Sequence, residues 1–386
     1  YLYIKPELKD MIRLNRFTGD IEMTGRVPWF DNRAAGNTWT DTDIVLLKYH
    51  LAKTASIEFS TPMMWDALHA VAVRHAYHPI RDFVEGLKWD KKPRLDTWLP
   101  FYCDAEDTLY TRAVGRKLIV GMVARIFEPG KKFDYCLILE GDQGIGKSTI
   151  CHTLGGDWYG DIVLDPHGRD TIDAMRGKWV IELSEMEVTR RAEAQALKAF
   201  ISRTTDRARL AYARSALDFP RQCVFIGTVN PDGMGYLSDE QNRRFWPVKC
   251  GKHIKMGEFA EARDQLLAEA YIAYKAGEEL YLSGSLVDFA EIEQAKRRNI
   301  DPWEDVIADY MQTTGLEVKE VSVHQVWELV FGGQAKSMSR AEQGRIGRAM
   351  RALGWFKTRP TRGGSRAYMF ERPEGIIVPE KKNLDN

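Results

Sequence analysis

The chain has 386 residues, 44% hydrophobic, 11% aromatic and 28% charged, which supplies enough apolar side chain for a core and argues against a disordered chain. Lys+Arg and Asp+Glu both number 55, so the net charge is zero and any surface for a polyanion has to be local. No apolar run approaches the roughly 18 residues needed to cross a bilayer, and the charged segment Tyr1–Asp10 lacks the apolar centre of a signal peptide, so no membrane partner is expected.

At roughly 100–200 residues per domain, the length suggests two to three domains. Residues 1–60 read as mixed, with aromatic-rich turns such as Pro28-Trp29-Phe30. From Thr61 the spacing becomes helical, first through Met64, Leu68 and Val71. A second helix starts at Pro79 with Phe83, Val84 and Leu87, and a third runs from about Leu109 to Ile126. Residues 1–128 are therefore expected to form a mainly helical N-terminal domain, suited to oligomerisation.

Pro129-Gly130 punctuates the chain. Beyond it, strand-like runs at Tyr135–Leu139, Trp179–Ile181 and Cys223–Ile226 alternate with helical runs at Lys147–Leu154 and Ala192–Ile201. Such alternation predicts an open α/β sheet over residues 129–298. Glu258–Gly277 reads as a further helix. In the last segment, 299–386, Val323–Val330 and Ala341–Leu353 read as helices and Trp355–Phe370 as a hairpin. Two helices and a basic hairpin predict a winged-helix-like domain.

The residues Gly141, Asp142, Gln143, Gly144, Ile145, Gly146, Lys147 and Ser148 complete the pattern G-x-x-x-x-G-K-[ST], followed by Thr149, between a strand and a helix. Glycines let successive N–H groups turn toward phosphate oxygens, and the helix that follows adds its positive end. Lys147 is expected on the β- and γ-phosphates of ATP and Ser148 on Mg²⁺. Neighbouring Cys151 and His152 do not share a helix face and read as packing residues.

Hydrolysis needs an acid for the metal and a base for the attacking water. Glu182 ends the apolar run Trp179–Ile181, and Glu185 follows three residues on, so Glu182 is assigned to Mg²⁺ and Glu185 to the water. The usual pattern places two acids side by side, and here Leu183 and Ser184 intervene. Asn230 ends the run Cys223–Val229, where an amide can hold the water and sense the γ-phosphate, as sensor 1 does in AAA+ ATPases. Arg243 and Arg244 precede another apolar run and are candidates for an arginine finger acting across a subunit boundary.

These stretches together resemble the virulence-associated protein E family, ATPase domains of phages and genomic islands related to superfamily 3 helicases. His78–Asp82, Trp89–Asp96 and Glu128–Lys132 are similar to that family as well, so the resemblance covers roughly residues 75 to 250. It implies an AAA+ core in a homo-oligomeric ring, hexameric by analogy, that translocates on single-stranded or forked DNA in the cytoplasm of a bacterial host. Relatives often carry an upstream primase domain, which a chain starting without Met would accommodate. Superfamily 3 relatives also place a basic pore hairpin between the acid strand and the sensor strand. Here that interval holds Arg203, Arg207, Arg209, Tyr212 and Arg214, with Asp206 among them to orient an arginine.

The segment Lys336–Arg372 carries ten Lys/Arg against two Glu, a local charge of +8. Arg345, Arg348 and Arg351 share a helix face, and Lys357, Arg359, Arg362 and Arg366 flank Gly363-Gly364. A recognition helix with a basic wing is expected to touch DNA. Two alternatives remain open: an ATP-switched DNA-binding initiator, and a small-molecule P-loop kinase. The five cysteines, Cys103, Cys136, Cys151, Cys223 and Cys250, show no metal-ligand spacing and suit a reducing compartment. No His-Glu-x-x-His occurs, so no zinc site is expected.

Overall fold

The computed structural model describes residues 11–24, 27, 38–162, 169–184, 191–208, 216–231, 235–237, 242–315, 317–334, 337–358 and 369–372. They fall into two compact units, one of residues 1–231 and 243–294, the other of 232–242 and 295–386.

The first unit begins with an antiparallel ribbon, β1 (Ile12–Leu14) and β2 (Ile21–Met23), in which Ile12 faces Met23. Two helices follow, α1 (Asp41–Ala55) and α2 (Thr61–Arg74). A Thr40/Asp43 capping box starts α1; Ser60 caps α2, with Pro62 in its first turn. Ile44, Leu47 and Leu51 line one face of α1, and Met64, Leu68 and Ala72 one face of α2; both pack on Ile12 and Met23 as a small core of their own.

Next come α3 (Pro79–Gly86), α4 (Trp98–Cys103) and α5 (Leu109–Phe127). Thirteen of the nineteen residues of α5 are buried, as expected for a helix apolar on nearly every side. The remaining elements are β3 (Cys136–Glu140), α6 (Lys147–Gly155), β4 (Tyr159–Asp161), α7 (Arg169–Met175), β5 (Val180–Leu183), α8 (Arg191–Ile201), β6 (Thr205–Ala208), β7 (Leu217–Pro220), β8 (Val224–Val229), β9 (Phe245–Lys249), α9 (Met256–Lys275) and α10 (Ser285–Ala295).

Five strands form one sheet in the order β4-β5-β8-β3-β9, every neighbour parallel. No residue of β3, β5 or β8 is exposed, the mark of strands covered on both faces. Leu118 and Met122 of α5, Leu137 and Leu139 of β3, Ile226 of β8, Trp246 of β9 and Leu266 of α9 share one core. Within it the buried Trp179 indole N–H donates to the Met122 carbonyl at 2.9 Å.

Two family-like stretches brace this core. His78 caps α3 and bonds Gln222 at 2.7 Å. Arg81 donates to the carbonyls of Ile126 (2.9 Å) and Phe127 (3.3 Å), closing the end of α5. Arg94 pairs with both oxygens of Asp90 at 2.7 Å, while Glu269 of α9 accepts the Arg94 N–H at 2.7 Å.

The second unit contains α11 (Pro302–Thr313), β10 (Glu320–Ser322), α12 (Val323–Phe331), α13 (Arg340–Ala352), β11 (Phe356–Thr358) and β12 (Met369–Glu371). Capping boxes at Asp301/Glu304, Ser322/Gln325 and Ser339/Glu342 start its three helices. Its strands form an antiparallel sheet, β10-β12-β11. Ile307, Val321, Val326, Ile346, Trp355 and Phe370 meet in its core. The two helices and hairpin read from sequence are thus joined by α11 and β10, which supply Ile307 and Val321.

The chain is therefore a mixed α/β protein with a five-stranded parallel sheet. Among the described residues, no helix is long and apolar enough to cross a membrane. All five cysteines are buried free thiols.

Candidate nucleotide site and basic surfaces

β3 runs straight into the glycine loop, and α6 leaves it at Lys147. Gly146 has φ +105°, and a Cβ there would sit 2.7 Å from Met256 Sδ, so the turn demands glycine at this position. Asp142, Gln143, Gly144, Ser148 and Thr149 are exposed, while Ile145 is partly buried against the core.

Lys147 itself is buried. Its ammonium donates to the carbonyls of Gly141 (2.7 Å) and Asp142 (2.8 Å) and to Asn230 Oδ1 (2.7 Å). Burial pushes the Lys147 pKa down; the Asp142 and Glu182 carboxylates pull it back in part. Asn230 reaches the lysine because β8 is the direct neighbour of β3, with Glu140 opposite Val229.

Glu182, in β5, is 1% exposed. Three hydroxyls hold its carboxylate: Ser148 Oγ at 2.7 Å and Thr228 Oγ1 at 2.7 Å donate to Oε1, and the Tyr159 hydroxyl donates to Oε2 at 2.6 Å. The Tyr159 pKa is raised, first by burial and then by its bond to Glu182, so it stays a donor. Ser148 and Glu182 thus present hard oxygen donors side by side, the ligand type Mg²⁺ takes. Lys147 meets Asn230, and Ser148 meets Glu182, at this end of the sheet. Glu185 lies outside the described residues.

Tyr159 and Thr228 were not anticipated. Thr228 is visible in retrospect as a hydroxyl within an apolar strand. Tyr159 gives no such signal, because β4 is three residues long and its pairing with β5, Asp161 opposite Glu182, is purely tertiary.

Arg243 and Arg244 sit elsewhere. β9 runs in register with β3, Phe245 beside Cys136 and Lys249 beside Glu140, so the arginines lie where β3 starts and the glycine loop where it ends. Four to five residues at about 3.3 Å each put some 15 Å of strand between them. Neither arginine reaches the loop of its own chain. Arg244 approaches Asp134 at 3.3 Å (Nε to Oδ2), an ion pair without hydrogen-bond alignment, and its carbonyl accepts the Cys136 N–H at 2.7 Å. Arg243 is exposed.

The basic stretch between β5 and β8 contains a β-hairpin, β6 with β7, Asp206 opposite Phe219. Asp206 does not chiefly orient a loop arginine: it is buried and takes Nε (2.5 Å) and Nη2 (2.8 Å) of buried Arg221, with Arg203 at 3.8 Å. Arg207 is exposed, 3.8 Å from Asp218. Arg209, Tyr212 and Arg214 lie outside the described residues. Replacing Asp206 by alanine should leave Arg221 charged, buried and unpaired, and is expected to cost about 3–5 kcal/mol in a denaturant melt. Arg207→Ala should change the same melt by less than about 1 kcal/mol. Equally small shifts would mean that the ion pair does not anchor the hairpin.

In the second unit, Arg345 on α13 bonds Asp301 through Nε (2.7 Å) and Nη2 (2.7 Å) and lies 4.1 Å from the centre of the Trp303 ring. Its charge is matched inside its own unit. Arg348 lies on the same helix and Lys357 on β11, while Arg359 and Arg362 lie outside the described residues.

A family model described as the virulence-associated protein E-like domain matches residues 84–299, more than half of the chain. No curated protein matches it in sequence. Among solved structures, two apo structures of the NrS-1 C-terminal region are similar at 12% identity, with TM-scores of 0.47 and 0.45, covering 93% of this chain and 95% of theirs. On the domain match, the chain belongs to the virulence-associated protein E-like family.

Proposed function

We propose that the protein is an ATP-hydrolysing DNA translocase, a ring helicase acting in the replication of a phage or mobile element. The observation that carries this is the cluster at one end of the parallel sheet: Lys147 bonded to Asn230, and Ser148 bonded to Glu182. A phosphate-loop lysine meeting a strand-end amide, beside an acid on the next strand, is the arrangement of a hydrolytic motor of the AAA+ type. Gly141–Thr149 would cradle the ATP phosphates, with Ser148 and Glu182 holding Mg²⁺. The metal, when bound, supplies charge neutralisation on the β- and γ-phosphate oxygens. Lys147 exchanges its three oxygen partners for phosphate oxygens, which frees the Asn230 amide for the attacking water. Glu185 is retained as the base.

In this reading the helix-strand-helix-helix-hairpin order of the second unit is a winged-helix-like DNA-binding module, with Arg348, Lys357, Arg359 and Arg362 toward DNA. The β6–β7 hairpin is the strand-tracking element. The deciding experiment measures ATP turnover with and without single-stranded DNA, together with native mass. Stimulation by DNA in an oligomer supports the translocase. Turnover indifferent to DNA overturns it, and nucleotide binding without turnover favours an ATP-switched initiator.

The hydroxyl of Tyr159 has a testable place here. Tyr159→Phe removes one donor to Glu182, worth about 1 kcal/mol net. The Mg²⁺ concentration needed for half-maximal binding of a fluorescent ATP analogue is therefore expected to rise roughly fivefold. Binding without Mg²⁺ should be unchanged. Superimposable Mg²⁺ curves would remove Tyr159 from the site.

A further inference from the structure

A cavity of about 160 Å³ opens in the first unit at the strand-start end of the sheet, away from the glycine loop. One wall is the turn joining β1 to β2, another the bend ahead of β5, and the third the base of the β6–β7 hairpin with the entry to β8. The first two walls touch: Arg176 Nη2 donates to the Thr18 carbonyl at 2.5 Å and to Asp20 at 3.2 Å.

The charge of this cavity is one-sided. Arg16, Arg176, Lys178 and Arg221 line it against a single carboxylate, Asp206. Both oxygens of Asp206 are taken by Arg221, so that pair cancels. Among the described residues, no carboxylate pairs with Arg16 or with half-buried Lys178. Arg176 is shared with Asp20, yet its buried Nε finds no acceptor. Exposed Arg16 and half-buried Lys178, with Arg176 beside them, give the recess a positive lining that suits an anion. At roughly 30 Å³ per water, the recess has room for a tetrahedral phosphate. Phe219, part-exposed at the same rim, offers a ring face beside it.

We propose that this pocket seats one backbone phosphate of a DNA single strand, with the adjoining base against Phe219. The assignment rests on the translocase reading above and adds a contact to it, at the root of the hairpin rather than at its tip. Arg16 and Lys178 pair the phosphate, Arg176 adds its charge from the wall, and stacking on an aromatic ring tolerates any base. Because the pocket and the glycine loop lie at opposite ends of the strands, DNA and ATP are held at once without competing.

The test titrates a fluorescent single-stranded oligonucleotide against the full chain over a range of KCl concentrations. Wild type is compared with Arg16→Gln/Lys178→Gln, a pair that leaves Arg176 in place to tie the ribbon; melting temperature checks folding. The pocket neutralises one phosphate, so the slope of log affinity against log salt is expected to fall by about 0.7 in the double variant. Phe219→Leu should weaken binding several-fold at an unchanged slope. A slope equal to wild type in a folded double variant overturns the pocket while leaving the translocase reading intact. Inorganic phosphate forms a separate arm. If it raises the melting temperature of wild type and not of the variant, with DNA slopes equal, the pocket takes a free anion and the DNA assignment falls. If wild type binds no DNA, both readings fall together.

Discussion

Lys147→Ala should reduce ATP turnover by at least about 10²–10³-fold, the loss that follows removal of one preorganised donor to developing charge. The structure explains why no neighbour substitutes. The ammonium is buried and already collects three oxygens, those of Gly141, Asp142 and Asn230, so the site is shaped around one cation. Phosphate release at saturating ATP measures the first effect, and a fluorescent nucleotide measures the expected weaker binding. Turnover at the wild-type rate in the purified variant would exclude the glycine loop as the catalytic site.

The second large effect concerns Arg243. Its loss should cut turnover by about 10³–10⁵-fold while ATP still binds, because the charge is needed only as the γ-phosphoryl group separates. Sequence left Arg243 and Arg244 equal; the structure separates them. Arg244 is drawn to Asp134 and its backbone holds the start of β3, which suits a bracing role. Arg243 is exposed, and the length of β9 keeps it from the glycine loop of its own chain. A finger at that position has to serve a neighbouring subunit. Mixing Lys147→Ala with Arg243→Ala protein, each inactive alone, should restore part of the activity, since some interfaces then join an intact loop to an intact arginine. Subunits that exchange without any recovery would count against a shared site. Arg244→Ala should instead lower the melting temperature more than Arg243→Ala does.

The glycine loop, the helix after it and the three buried strands β3, β5 and β8 were legible in the chain because each is a local pattern. A loop that curls around phosphate needs glycines at fixed offsets, and a strand covered on both faces needs an unbroken apolar run. The same locality gave Glu182 and Asn230, since polar residues at the ends of such runs stand out. β4 was missed as a sheet member, because a three-residue strand carries too little pattern.

What the sequence determined by itself is therefore the chemistry-bearing loop, the strand-end acid and amide, and the alternation that makes a parallel sheet. Strand order, and with it the contacts of Glu182 with Tyr159 and Thr228, was decided only by tertiary structure, because pairing between β4, β5 and β8 joins residues 23 to 46 positions apart. Tertiary structure also placed α5 in the core of the sheet and gave α1 and α2 a core with the β1–β2 ribbon, a division that periodicity cannot reveal. Helical spacing tells which face of a helix is apolar, and a charge count tells how many cations a segment holds. Neither says what covers the face or which cation is already paired; Asp206 with Arg221 and Asp301 with Arg345 are settled by folding, when distant carboxylates are brought within bonding distance.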